Sequence, residues 1–260
     1  MFPVFGEWSN VAIVYTQPGS QKPFMACAVS TLPDLHFVGA AAGTECLPFY
    51  RYEDGRRREN ITDWAVDQFK GYYGSRSRRA ITKEAIFQYV YAVFHDPAYR
   101  DKYKVNLKRE LARIPFYADF WAWTNWGKVL LEIHLGYETA KLAPLKRIDI
   151  RDSRSRDADV SVAPVLRADP SQGTIEVDAE TTLSGIPPDA WDYRLGNRCA
   201  LEWVLDQHKE KTPKDPTVRE NFNTYRFEDY KESVIDLIRK VTTVSIETVE
   251  IVRTMKKAPR

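Results

Sequence analysis

The stretch 82–95, TKEAIFQYVYAVFH, decides the fold class of the middle of the chain. Its apolar side chains recur three and four residues apart, which is the spacing of one buried face of an α-helix: Ile86, Tyr89, Val90 and Val93. Thr82 stands where a side-chain oxygen can cap the first free backbone N–H groups. The pattern therefore predicts a helix that begins after Thr82 and packs against a core.

Two more helices are expected beside it. Asn60 or Thr62 can cap a helix that carries Trp64, Val66 and Phe69 and ends near Gly71. Another helix is expected from about Asp119 to Tyr137, beyond a basic segment that Pro97 and Pro115 bound. The segments RYEDGRRRE (51–59) and GSRSRRA (74–80) have turn chemistry without apolar periodicity, so both are predicted to be exposed loops.

Strand-like sequence comes before and after this helical middle. NVAIVYTQ (10–17), PFMACAVS (23–30) and LHFVGA (35–40) are rich in β-branched and aromatic residues, as are VSVAPVLRA (160–168) and TIEVDAETTL (174–183). The end is helical again around 200–205 and 234–241, and Ser245 is expected to cap a closing helix through Met255. The prediction is an α+β fold with a β-rich N-terminal segment, a helical middle, a second small β unit and a helical C-terminus. We expect one domain, either undivided or with two lobes, 1–142 and 143–260.

Composition narrows the class of protein. Of 260 residues, 43% are apolar and 13% aromatic, which is enough to build a sizeable core. Three distant cysteines, Cys27, Cys46 and Cys199, form neither a CxxC pair nor a disulfide framework. The N-terminus MFPVFGEWSN lacks the basic and apolar regions typical of a signal peptide, and no apolar run is long enough for a membrane span, so a cytoplasmic protein that does not enter a membrane is expected.

Positive charge is concentrated in one region. Residues 51–110 hold fourteen Lys plus Arg against nine Asp plus Glu, a net of +5, although the whole chain carries only +2. Arg56, Arg57 and Arg58 lie in the first predicted loop. Basic loops can follow a phosphate backbone, but charge runs are also commonly just solvated surface. The charge pattern alone leaves both interpretations open.

Signatures of catalysis are largely missing from the sequence. It has no GxxxxGK[ST] phosphate loop, no GxSxG elbow and no dinucleotide fingerprint, so no cofactor is expected. The acidic run Asp149, Asp152, Asp157 and Asp159 alternates with arginines, which favours a solvated loop over a metal site. His134 and Glu138 could pair as base and orienting acid, but a structural histidine is favoured. Six aromatics between Phe116 and Trp126 could stack on bases, but helical spacing favours packed core.

Long blocks of the sequence resemble a known family. They are ENITDWAVDQFKGYYG, ITKEAIFQYVYAVFHDPAYRDKYKVNLKRELARIPF, DFWAWTNWGKVLLEIHLGYE, YRLGNRCALEWVLDQHKEKTPKD and IDLIRKVTTVSIETVEIVRTM. Together, over about positions 45–256, they resemble the C-terminal specificity region of type ISP restriction-modification enzymes. In that family one polypeptide also carries an Mrr-like nuclease, an ATPase motor and an adenine-N6 methyltransferase, and this sequence resembles only the recognition region. The sequence could therefore be an excised piece, a split subunit or a truncated product.

The resemblance implies a non-catalytic target-recognition domain for double-stranded DNA. It would direct methyltransferase and motor-nuclease domains, in cis or in trans, in phage defence. For phosphate contacts we expect Arg76, Arg78, Arg79 and Lys83, where a basic loop runs into a helix N-terminus. For base reading we expect the loop 209–227, with Lys211, Lys214, Arg219, Asn221 and Asn223. The alternative is a protein-interaction or inhibitor module that keeps this fold and docks on a partner enzyme.

Overall fold

The computed structural model describes residues 10–37, 39, 42–74, 79–150, 164–211, 213–221 and 225–260. The expected α+β class is confirmed, since helices and antiparallel sheets alternate along the chain. The chain divides into two compact units. The first comprises Met1–Gly136, Leu195–Asn197 and Glu250–Arg260, and the second comprises Tyr137–Arg194 and Arg198–Val249.

The first unit begins with strands and continues with helices. Its strands are β1 (Ala12–Thr16), β2 (Ala26–Val29), β3 (Thr44–Pro48), β4 (Tyr50–Glu53) and β5 (Arg56–Glu59). Its helices are α1 (Asp63–Tyr73), α2 (Lys83–His95), α3 (Pro97–Lys102) and α4 (Phe120–Leu135). Strands β2, β1 and β3 form an antiparallel sheet in that order, and β4 pairs with β5.

Three side chains cap these helices: Thr82 and, of the two expected alternatives, Thr62, together with Asp119, where the third helix was expected to begin. Thr62 accepts from Ala65 N at 3.2 Å, Thr82 from Ala85 N at 3.1 Å, and Asp119 from Ala122 N at 3.0 Å. Each of these bonds satisfies a backbone donor that the first helical turn leaves free. The starts of α1, α2 and α4 are thus fixed locally.

Helix α2 is the centre of the core of the first unit. Tyr89, Tyr91 and Val93 are fully buried, and so is Trp123 of α4. The two helices approach closely at Gly127, where an added Cβ would lie 1.8 Å from the carbonyl oxygen of Gln88. Only a residue without a side chain allows this approach, so Gly127 sets the spacing between α2 and α4.

The second unit is built around a four-stranded antiparallel sheet. Its strands are β6 (Lys146–Asp149), β7 (Pro164–Asp169), β8 (Thr174–Asp178) and β9 (Thr181–Ser184), in the order β6, β9, β8, β7. After the short strands β10 (Arg194–Leu195) and β11 (Arg198–Cys199) come α5 (Ala200–Gln207), α6 (Pro216–Asn221) and α7 (Lys231–Lys256); Leu195 and the part of α7 from Glu250 onward are assigned to the first unit. Ile175, Val177 and Leu183 are completely buried, which places the core of this unit on one face of its sheet.

Three expectations about strands and loops are wrong. The segment 51–59 is not a loop, because Tyr50–Glu53 and Arg56–Glu59 pair as a hairpin. Leu35–Phe37 is a turn, closed by Asp34 Oδ1 accepting from His36 N at 2.7 Å, where a strand was expected. Lys146–Asp149 forms a strand within the polar run, so Asp149 does not lie in a solvated loop. Asp152, Asp157 and Asp159 lie outside the described residues.

Two expectations about helices are also wrong. Ser245 does not cap a closing helix, because α7 runs without interruption from Lys231 to Lys256 and buries Ser245 completely. No Gly or Pro interrupts this stretch, so the helix continues past a residue that could otherwise cap it. Trp64 does not lie on the buried face of α1, since 71% of Trp64 is exposed while Val66, Phe69 and Tyr73 are buried.

Candidate nucleic-acid interface

The predicted basic residues Arg56, Arg57 and Arg58 form strand β5 and are all exposed. The hairpin they belong to turns at Asp54 and Gly55, whose φ angles are +49° and +73°. Positive φ at both central residues is the geometry of a two-residue hairpin turn, and Asp-Gly is a preferred sequence for it. The arginines are therefore held on a regular ribbon and not on a loop.

Two asparagines hold the base of this hairpin. Asn10 Nδ2 donates to Tyr50 O at 2.7 Å and Asn10 Oδ1 accepts from Tyr50 N at 3.0 Å. Asn60 Nδ2 donates to Pro48 O at 3.0 Å, and the Asn60 backbone N donates to Phe49 O at 2.8 Å. Asn10 is buried, so its amide satisfies both backbone groups away from water. The ribbon thus has a fixed root.

Sequence reasoning missed three hairpin residues beside these arginines: Tyr50, Arg51 and Glu53. The Arg57 guanidinium lies 4.3 Å from the centre of the Tyr50 ring, and Arg51 Nη1 lies 2.7 Å from Glu53 Oε1. The signal was present as alternating residues around the Asp-Gly pair. Charge density obscured it, because a strand with few apolar residues lacks the usual periodicity.

The predicted phosphate contacts around the start of α2 are only partly described. Lys83 Nζ lies 2.7 Å from Asp63 Oδ1, and this ion pair lowers the pKa of the Asp63 carboxyl. Arg79 is exposed, and its guanidinium lies 5.6 Å from the centre of the Trp121 ring. Arg76 and Arg78 lie outside the described residues. Because Asp63 already neutralises Lys83, Lys83 attracts a phosphate less than its position suggests.

The predicted base-reading segment 209–227 contains a short helix. Lys211 and Lys214 are exposed, and α6 includes Arg219 and Asn221. Asn221 Nδ2 donates to Thr217 O at 3.1 Å. Asn223 lies outside the described residues. Part of the segment is therefore helical, where the sequence predicted a loop throughout.

Two of the four histidines, His95 and His134, belong to the core of the first unit. His134 Nδ1 lies 2.6 Å from the Tyr91 hydroxyl, and His95 Nδ1 lies 2.9 Å from Tyr91 O. Burial, with the nearby charge of Arg100, lowers the pKa of His134 to about 3 and that of His95 well below its usual value. Both rings are thus neutral at pH 7. The structural interpretation of His134 is confirmed.

The other candidates for chemistry do not assemble either. Of the aromatic run, Tyr117, Phe120 and Trp123 are buried, which confirms that they pack as core. Burial raises the pKa of Cys27 to about 12 and that of Cys199 to about 11, so these thiols stay protonated. Among the described residues, no three His, Cys, Asp or Glu side chains are grouped so that they could hold a metal ion.

A comparison with models of protein families identifies the family of the chain. The model of the Type ISP C-terminal specificity domain matches residues 1–237. The chain belongs to this family. An exposed basic ribbon, without an assembled catalytic group among the described residues, is what a domain that recognises DNA for other catalytic domains needs. No curated protein matches the chain. Within the described part of the chain, every helix is too short or too polar to cross a bilayer.

Solved structures of much longer chains contain the same fold. A cryo-EM structure of a DrdV–DNA complex matches with 47% identity and a TM-score of 0.89 over 97% of this chain and 25% of that chain. A nuclease-deletion mutant of the Type ISP restriction-modification enzyme LlaGI, in complex with a DNA substrate mimic, matches with 26% identity and a TM-score of 0.69 over 97% and 21%. The ATP-dependent Type ISP enzyme LlaBIII bound to DNA shares the fold, with 22% identity and a TM-score of 0.70 over 96% and 16%. The chain thus spans at most a quarter of these proteins.

Proposed function

We propose that this chain recognises a short sequence in double-stranded DNA for a Type ISP restriction-modification enzyme. The observation that carries the proposal is the 47% identity, over 97% of the chain, to a protein solved as a DNA complex. The exposed arginine ribbon adds a physical reason, because DNA is a polyanion and its binding needs accessible cations. The two units together would form one target-recognition domain.

In this role the chain is not itself catalytic and takes no cofactor. It presents a target site to an adenine-N6 methyltransferase and directs an ATP-dependent nuclease to that site. The methyltransferase and the nuclease are separate domains of the same polypeptide or of a partner. The family supports this separation of recognition from catalysis, because the family model describes a specificity domain. Recognition of cellular and phage DNA would take place in the cytoplasm.

The phosphate contacts we propose are those at the start of α2. Arg79 is exposed there, and Arg76 and Arg78 precede it in the sequence. We also propose DNA contacts from the basic hairpin of the first unit and, separately, from the second unit, at Lys211, Lys214, Arg219, Asn221 and Asn223. A phosphate contact contributes affinity on every sequence, while a base contact contributes only on the right one.

A titration of labelled random duplexes at about 50 mM and about 200 mM salt tests the proposal. We expect affinity to fall steeply with salt, because each neutralised phosphate releases counterions. Arg78→Ala and Arg79→Ala should weaken binding to all duplexes about equally and reduce the salt slope by about 1 each. Lys83→Ala is the matched control, because Asp63 already pairs with that charge.

Two results would overturn the assignment. Absence of salt-sensitive DNA binding, with tight binding to a partner enzyme instead, would establish the interaction or inhibitor module. A change of preference at one base pair in Arg78→Ala would show that this residue reads a base and does not hold a phosphate.

A further inference from the structure

We infer that one face of the β4–β5 hairpin reads base edges in the major groove and selects G·C pairs. The inference deepens the proposed function and rests on it. The face is called the outer face and consists of Arg51, Glu53, Arg56 and Arg58. The strand register defines it, because Arg51 lies opposite Arg58 and Glu53 lies opposite Arg56. Directly opposed residues in an antiparallel pair share one face of the ribbon.

The other face of the hairpin packs against its own unit. Tyr50 and Tyr52 are partly buried there, and the Tyr52 hydroxyl is buried without a hydrogen-bond partner among the described residues. Phe49, next to Tyr50, packs its ring 5.2 Å from the ring of Phe87 in α2. Arg57 and Glu59 share this second face and are exposed at its edge, so the two tyrosines anchor it, while the outer face has no buried residue and all four of its residues are exposed. The hairpin therefore presents a charged face to solvent from an anchored aromatic face.

The outer face is a poor arrangement for the stability of the hairpin itself. Arg51 and Arg58 are directly opposed, and like charges in such positions destabilise a strand pair. Glu53 offsets part of this, since its carboxylate lies 2.7 Å from Arg51 and 3.7 Å from Arg58. Exposed ion pairs contribute little to stability. A set of three arginines around one glutamate fits a ligand better than it fits the fold.

The carboxylate decides which part of DNA this face suits. Glu53 would repel phosphates, and it already shares the charge of two guanidinium groups. In the major groove the same set is complementary to a G·C pair, because an arginine fork donates to guanine O6 and N7 while a carboxylate accepts from cytosine N4. The major groove, about 12 Å wide, also admits a two-stranded ribbon. Base edges are therefore the better match.

The hairpin is also preorganised for reading. Asn10 and Asn60 fix its root through backbone hydrogen bonds, and the Asp54–Gly55 turn fixes its tip. Glu53 holds the guanidinium groups of Arg51 and Arg58 on the outer face before any ligand arrives. Less ordering is then needed on binding, which favours affinity.

The test uses the full chain and a pool of random duplexes. Duplexes retained by the wild type are sequenced, and affinities for the selected duplex and for single base-pair variants are measured for Arg51→Ala, Arg58→Ala and Glu53→Gln. Arg167→Ala is the matched control, because Arg167 also lies on a hairpin strand and pairs with a glutamate, Glu176, at 2.6 Å. Thermal melting confirms that each variant is folded.

We expect the wild type to select at least one G·C pair that Arg51→Ala or Arg58→Ala no longer prefers, with discrimination there falling roughly tenfold. Glu53→Gln should relax the preference without weakening binding to random duplexes, since it removes a negative charge. Arg167→Ala should keep the wild-type preference.

Other outcomes separate this inference from the function on which it rests. If the wild type does not bind DNA, the proposed function fails and the inference fails with it. If the wild type binds DNA without any preference, the proposed sequence recognition fails together with the inference. If the wild type has a preference and the arginine variants keep it, only the inference is overturned. A uniform loss on all duplexes with a salt slope lower by about 1 would assign these arginines to phosphates and equally overturn it.

Discussion

Gly127→Ala should destabilise the protein, although alanine is the better helix former. In α4 the substitution would place a Cβ 1.8 Å from the carbonyl oxygen of Gln88 and 3.2 Å from the backbone N of Ala92. These are backbone atoms of α2, so the two helices would have to separate. Overpacking of this kind costs about 1–3 kcal/mol, occasionally more. The gain in helix propensity, about 1 kcal/mol, offsets only part of it.

The matched control is the same substitution at Gly71. This glycine is exposed within α1, and no atom lies within 4 Å of an added Cβ. Gly71→Ala should therefore stabilise the protein by up to about 1 kcal/mol through helix propensity alone. The same Gly→Ala substitution should thus change the free energy of unfolding in opposite directions at two helical positions of the chain.

Urea unfolding followed by far-ultraviolet and near-ultraviolet circular dichroism measures both variants. The unfolding midpoint should fall for Gly127→Ala and rise for Gly71→Ala, with similar denaturant slopes. A Gly127→Ala protein as stable as the wild type would refute the close approach of α2 and α4. Equal shifts in both variants would show that helix propensity decides, and not packing.

Two further predictions concern buried polar groups. Because the pKa values of His95 and His134 are low in the folded protein, these rings bind protons in the unfolded chain at a pH where they stay neutral in the folded one. The free energy of unfolding should therefore be highest above about pH 6.5 and should fall below that pH by up to about 1.4 kcal/mol per pH unit for each ring. Unfolding at a series of pH values should show a shallower slope for His134→Gln, and an unchanged slope would contradict this. Asp96 is fully buried, binds Arg260 at 2.6 and 2.9 Å and accepts from the Tyr117 hydroxyl at 2.8 Å. Because Arg260 is partly exposed, Asp96→Asn should cost about 1.5–3 kcal/mol, the range for hydrogen bonds to charged groups, and an unchanged melting temperature would show that this pair is not stabilising.

Local sequence signals predicted the helical middle well. The caps Thr62, Thr82 and Asp119 mark helix starts because their side chains bond to backbone groups within three residues. The periodicity of 82–95 located α2, although nearly the whole helix is buried and not one face alone. Long blocks of resemblance indicated the family, which the family model shows.

Sequence signals predicted the wrong secondary structure where two local preferences competed, or where a contact with a distant residue decided the structure. At 51–59 the charges suggested a loop, but the Asp54–Gly55 turn and the bonds from Asn10 make the segment a hairpin. At Ser245 a capping residue is buried inside α7, because continuous packing outweighs a local preference.

The sequence by itself determined the starts of α1, α2 and α4, the α+β class and the family, because each depends on residues close together in the chain or on long contiguous blocks. The tertiary structure alone decided that Lys83 is neutralised by Asp63 and that Arg51 faces Arg58 with Glu53 beside them. Electrostatic attraction depends on distances of a few ångströms between side chains. Those distances are set by packing and strand register, and the order of residues does not contain them.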